Sequence, residues 1–232
     1  MSQLVALTGR RMRSPRAAAV AGILFAALLT AVLLLFRSTV PGDVLDHGAW
    51  LSAELDRVAL AINLMPFAGI AFLWFIGVVR DRMADAEDRL FATVFLGSGL
   101  LFLAMMFVAT AVFGAMVAVQ AMQPGSLPQS TTFALARAFA YTIVNVYAVK
   151  MAGVFMLITS TIALRTAFVA RWMAAPGFVM ALFLLFAGQW VDWSFIVFPA
   201  WALLISVYIL IANLHRAPRA DDGPTDTPAR AA

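Results

Sequence analysis

The sequence predicts an all-α integral membrane protein, a polytopic bundle of about six transmembrane helices, and three observations carry that prediction. The 232 residues are 63% hydrophobic and only 12% charged, with a mean hydropathy of +0.93. A soluble domain carries about 25% charged residues and needs them to cover a water-facing surface. The apolar residues fall in runs of about 20, the length that crosses roughly 30 Å of hydrocarbon as a helix. The arginines gather at the ends of those runs, where they set topology.

The first run, 17–36, follows Arg10, Arg11, Arg13 and Arg16. A cleaved signal peptide shares that charged start, but its apolar region is about 7–15 residues and ends in a small-residue cleavage motif. This run is longer and ends in FRSTVPGD, which reads as an uncleaved helix preceded by a basic cytoplasmic N-terminus, 1–16. The second run, 58–79, closes on Arg80 and Arg82. The third is 90–119, about 45 Å if helical throughout, so it must tilt or protrude. The fourth, fifth and sixth are 138–164, 173–188 and 195–214, which completes a single membrane domain over 17–214.

Six crossings place both ends of this domain on the cytoplasmic side. Arg10, Arg11, Arg13, Arg16, Arg80, Arg82, Arg89, Arg165, Arg171, Arg216, Arg219 and Arg230 then lie inside. Only Arg37, Arg57 and Arg137 lie outside, a strong positive-inside bias that fits a multi-pass protein of the inner (plasma) membrane. Trp50, Trp190 and Trp193 fall at outer boundaries, and Trp74 and Trp172 towards inner ones, as lipid-anchoring aromatic belts do. Pro66, Pro176 and Pro199 lie in or near helices two, five and six, where a missing backbone donor is expected to kink them.

Two segments outside the spans have a character of their own. Residues 43–57, DVLDHGAWLSAELDR, set leucines among charges as an outer interfacial helix does, with Asp46 placed to cap it. The tail, 215–232, is polar and proline-containing, with too little apolar surface to fold, and is expected to be disordered in the cytoplasm.

LMPFAGIAFLWFIGVVRDR at 64–82, followed by EDRLFATVFLGSGLLFLAMMF at 87–107, resembles an uncharacterised actinobacterial family of small multi-pass integral membrane proteins. The resemblance implies a small helical membrane protein. It implies no activity and no catalytic residue.

Composition and missing motifs exclude several chemistries. With no cysteine there are no disulfides, thiolate metal sites, iron–sulfur clusters or cysteine nucleophiles. The pI near 10.3 comes without a basic stripe to track phosphates, so nucleic acid is not an expected partner. No H-E-x-x-H, G-x-S-x-G or phosphate-binding glycine loop occurs. No cofactor or metal is expected. His47 and His215 fall on opposite sides of the membrane and cannot share one metal. Asp43, Asp46 and His47 present a cation-ligand set that capping and solvation explain as well.

Polar groups inside the spans are few. Lys150, the only lysine, sits in VNVYAVKMAGVF. Measured from Arg165 as the inner boundary it lies about 22 Å up, near the outer surface, where its stem can snorkel. Measured from Arg171 it lies at the midplane, where charge costs about 2.5–3.5 kcal/mol and marks a functional group. No carboxylate lies within a span, so the partners open to Lys150 and Arg137 are Asp192, Asp56 or Glu54. Arg137, Tyr141 and Asn145 share one helix face at i, i+4, i+8, with Asn145 as an interhelical hydrogen bonder, while Lys150 is turned about 140° from Asn145. Ala18, Gly22, Ala26 and Thr30 recur every four residues, a face that allows close helix packing, and Gly97 with Gly99 offers a second. The charged turn RDRMADAEDR at 80–89 reads as a solvated cytoplasmic turn, with docking to a cytoplasmic protein as the alternative.

These features favour a non-catalytic membrane subunit or scaffold of a larger assembly, such as a transporter or lipid-handling complex, with the lipid bilayer and another membrane protein as partners. The alternative is a small carrier for an amphiphilic or anionic solute that uses Lys150 and Arg137. A membrane-embedded enzyme is the third reading.

Overall fold

A long apolar run in lipid has no water to satisfy its backbone, so it closes its hydrogen bonds internally as a helix. The computed structural model shows this outcome for every element among the described residues, which are 15–40, 53–83, 89–123, 130–166, 171–191 and 193–214. The elements are α1 (Pro15–Thr39), α2 (Leu55–Met83), α3 (Arg89–Met122), α4 (Thr131–Thr142), α5 (Val149–Thr166), α6 (Arg171–Phe186) and α7 (Val197–Leu214). A π-helical turn, Ile143–Ala148, joins α4 to α5 in one rod, and two 3-10 turns, Gly188–Trp190 and Ser194–Ile196, connect α6 to α7. Six rods result. Five are long and apolar enough to cross a membrane, and α6 has a shorter apolar stretch, 174–186.

Several helices begin before the apolar runs do. The fourth rod starts at Thr131 rather than 138 because Ser130 caps it, its hydroxyl accepting from the Phe133 backbone N–H at 3.1 Å. That capping bond satisfies a helix-end donor that hydropathy does not register. Residues 55–57, expected in an outer interfacial segment, belong to α2. The rest of that segment (43–52), the N-terminus before residue 15, the tail 215–232 and Asp192 lie outside the described residues. Pro66 and Pro176 sit within α2 and α6. Pro199 occupies the first turn of α7, where its missing N–H would have had no helical partner, so it needs no kink.

The rods alternate in direction. Arg165, at the end of α5, lies over the Phe91 ring at the start of α3, 4.5 Å from its centroid. At the opposite end Val58 of α2, Met116 of α3 and Phe133 of α4 form a small buried cluster. These two ends are called the Arg165 end and the Arg37 end. α1 starts and α7 finishes at the Arg165 end.

Between the ends the core is aromatic. Phe72 of α2 is fully buried and faces Phe25 at 4.4 Å, Phe155 at 5.3 Å, Phe102 at 5.6 Å and Phe198 at 5.8 Å between centroids. Phe95 stacks on Phe155 at 4.7 Å, and Trp201 meets Phe198 and Phe155. Five rods thus share one knot of rings at the favoured separations. Large apolar side chains also cover the outside, among them Phe67, Trp74, Leu101, Val179 and Phe186. Such a surface is stable against lipid and not against water.

Three buried hydroxyls are engaged within their own helices and not between rods. Thr110, Thr159 and Ser206 each donate to the carbonyl four residues back in their own helix, at 2.7 Å. Close approach is therefore left to small residues. Gly22 lies against α2 and α7: a Cβ there would overlap Ser206 Oγ and stand 2.8 Å from Phe75. Ala26 is buried with it, Thr30 is half-buried, and the Ala18 side chain lies outside the described residues. The face is used at Gly22 within the chain, with no second copy needed. Gly99 likewise admits Ile76 and Phe155, whereas Gly97 has nothing within 4 Å and makes no close approach. Gly22→Leu is expected to cost about 1–3 kcal/mol, the usual range for overpacking, measured as a lower melting temperature in detergent. An unchanged melting temperature would show that α1 can shift at no cost.

Candidate functional site

The short α6 shapes the site. Its 16 residues rise about 24 Å, while the α4–α5 rod is roughly twice as long. The antiparallel pairing of α5 with α6 shows where α6 stops. Gly177 faces Ser160, Gly153 faces Ala181 and Leu185, and Gly188 faces Val149. Beyond Val149, towards the Arg37 end, α6 has no residues left to pack on the rod. The two 3-10 turns close over at that level, and α1, α3 and α4 continue past them.

The space left between those three helices is a cavity of about 310 Å³. Its base is apolar, formed by Leu33, Met106, Ala109, Val144 and Phe195. Its upper wall carries Arg37 of α1, Arg137 and Tyr141 of α4, and Asn145 of the π-turn. Arg137 is only 5% exposed, and each arginine also has an interaction elsewhere in the chain. α1 packs chiefly on α2 and α7, and the cavity lies between α1 and α4. The volume is at the lower end of the range for small-molecule sites.

The π-turn lies in the cavity wall. Its signature is the Val149 N–H donating to the Val144 carbonyl, five residues back. Asn145 Nδ2 donates to the Tyr141 carbonyl at 3.0 Å, so Asn145 braces its own rod, and among the described residues it makes no interhelical hydrogen bond of the kind expected from its sequence position. Isolated π-turns are uncommon and concentrate at functional sites.

Arg137, Tyr141 and Asn145 share the cavity, and Lys150 does not line it. Lys150 follows Val149, which packs at Gly188, so it stands level with the turn that ends α6 and is half-buried. Among the described residues it has no ion pair. Glu54 pairs instead with Arg57 at 3.0 Å, three residues along the same helix, and Asp56 is exposed. The Glu54–Arg57 pair is largely solvent-facing and contributes little. Sequence reasoning overlooked Arg37 as a site residue. The available signal was the topology census: of the three arginines outside the inner set, two meet at this cavity.

A second polar convergence lies deeper. Among the described residues, Ser160 Oγ and Trp201 Nε1 are buried without a hydrogen-bond partner, and both crowd the position of a Cβ on Gly177. Only glycine leaves room there.

Fold and site together define a polytopic α-helical membrane protein with a largely apolar cavity at one end, lined there by two arginines. No protein-family model, curated protein or solved structure matches the chain.

Proposed function

We propose that this protein binds an anionic amphiphile from the leaflet at its Arg37 end, as the binding step of a small carrier. The observation that carries the reading is the cavity itself, apolar at its base and flanked by Arg37 and Arg137 above. Its depth fits the same reading. With Arg165 at one hydrocarbon boundary, about 20 residues of rise bring Asn145 to the other, and Arg137 to headgroup level. The base then lies at the edge of the acyl chains and the arginines among headgroups. Guanidinium groups suit phosphate and carboxylate because their donors match both oxygens of the anion.

The positive-inside bias sets the Arg165 end in the cytoplasm and the cavity in the outer leaflet of the inner membrane. Sequence reasoning favoured an accessory subunit because the spans offered little polar lining. The cavity supplies such lining, which moves the binding reading ahead.

Native mass spectrometry tests it. The protein is released from mixed micelles holding equal amounts of phosphatidylglycerol and phosphatidylcholine. The expected result is retention of the anionic lipid at least tenfold over the zwitterionic one. Equal retention would sink the proposal. Lys150→Met, outside the cavity, is expected to leave the ratio within twofold of wild type. A collapse of the ratio in that variant would place the cationic site at Lys150 instead.

A further inference from the structure

We infer that the cavity takes a single-chain amphiphile, with its one acyl tail threaded from the headgroup level into the bundle core between α3, the π-turn and the α6–α7 connection. This rests on the binding reading above and specifies its ligand.

The observation is a narrow apolar crevice of about 20 Å³ that continues the cavity inward. The two share Leu33, Met106, Val144 and Phe195, so the floor of one is the mouth of the other. The crevice runs on past Ala148 and Ala152 to Phe102 and Phe198, at the edge of the aromatic knot. From Val144 to Ala152 it covers about 12 Å along the rod. Ser194 contributes its one hydroxyl; every other lining residue is apolar.

Width decides the number of chains. The wall on the rod is Val144, Ala148, Val149 and Ala152, and the opposite wall includes Met106 and Leu33, flexible side chains that can turn aside for one chain. The far end is closed by rings, with Phe102 and Phe198 at 4.7 Å between centroids. A second chain has no comparable path and would have to remain outside. Access is sideways, because α1 packs chiefly on α2 and α7 and the cavity lies between it and α4. An amphiphile can therefore slide in from the leaflet with its head held at Arg37 and Arg137.

The probe is a lysophosphatidylglycerol with a photoactivatable diazirine at the end of its chain, bound to the wild-type protein in a neutral detergent. Crosslinked peptides are then mapped by mass spectrometry. The expected result is saturable labelling within 102–106, 148–152 and 194–198, competed by unlabelled lysophosphatidylglycerol at least fivefold better than by the two-chain lipid. Labelling of outward-facing positions such as Leu34 or Trp74, with the anionic preference retained, would overturn the threaded tail and leave the headgroup site standing. Absence of any saturable, anion-selective binding would overturn both. Ala148→Phe, which fills the crevice from the π-turn, is expected to abolish the core labelling. If that variant fails to fold, the wild-type map still decides.

Discussion

Phe72→Ala is expected to cost about 3–5 kcal/mol of stability, the largest effect of any single truncation in this protein. The range is that of buried Phe→Ala changes, in which lost contacts and a residual cavity both contribute. Phe72 belongs at its upper end for a structural reason. The ring is fully buried and stands among Phe25, Phe102, Phe155 and Phe198, which come from α1, α3, α5 and α7. Collapse cannot close the hole cheaply, since each neighbouring ring is itself held by others. Phe102 is engaged with Phe198, and Phe198 with Trp201. In lipid there is no hydrophobic gain from bringing helices together, so this packing carries association directly. The measurement is unfolding in mixed micelles of maltoside and dodecyl sulfate, followed by circular dichroism. Phe72→Leu is expected to lose less than half as much. A loss below about 1 kcal/mol for Phe72→Ala would show that the five rods do not depend on the knot of rings.

Arg137→Gln is expected to lower retention of phosphatidylglycerol relative to phosphatidylcholine at least tenfold. Hydrogen bonds to charged groups contribute about 1.5–3 kcal/mol, and 1.4 kcal/mol is a factor of ten in affinity. Glutamine keeps a planar donor of smaller reach and removes the charge. Arg137→Lys restores the charge without the forked donors, so it is expected to recover only part of the selectivity. Arg57→Gln is the control, because Arg57 is largely exposed and engaged with Glu54 on its own helix. Selectivity unchanged in Arg137→Gln, with the protein still folded, would remove Arg137 from the site. Arg37 should behave as the weaker partner, being exposed where Arg137 is buried.

The two halves of the site were unequally legible. Arg137, Tyr141 and Asn145 were visible as one face because helical spacing is a local property. Arg37 was counted only as a topology marker, since nothing local in FRSTV relates it to a residue a hundred positions later. The π-turn left no mark at all. IVNVYA reads like any apolar helix, and the choice of a fifth-residue hydrogen bond depends on what packs around it. Lys150 drew attention as an isolated charge, and the structure places it level with the end of α6, away from the cavity. The small-residue face of α1 was readable as a capacity for close packing. Its use against Phe75 and Ser206 was not.

By itself the sequence determined the class of the protein: an all-α polytopic bundle, because apolar runs of membrane length can satisfy their backbones only as helices. The positions of the helices follow from the same runs, with polar first turns such as that capped by Ser130 lying beyond what hydropathy detects. Tertiary structure alone decided where the bundle is solid and where it is hollow. A short α6 packed against a long rod leaves volume at one end, and rings from five rods fill the middle. Both depend on lengths and contacts compared across the chain, and no window along it contains that comparison.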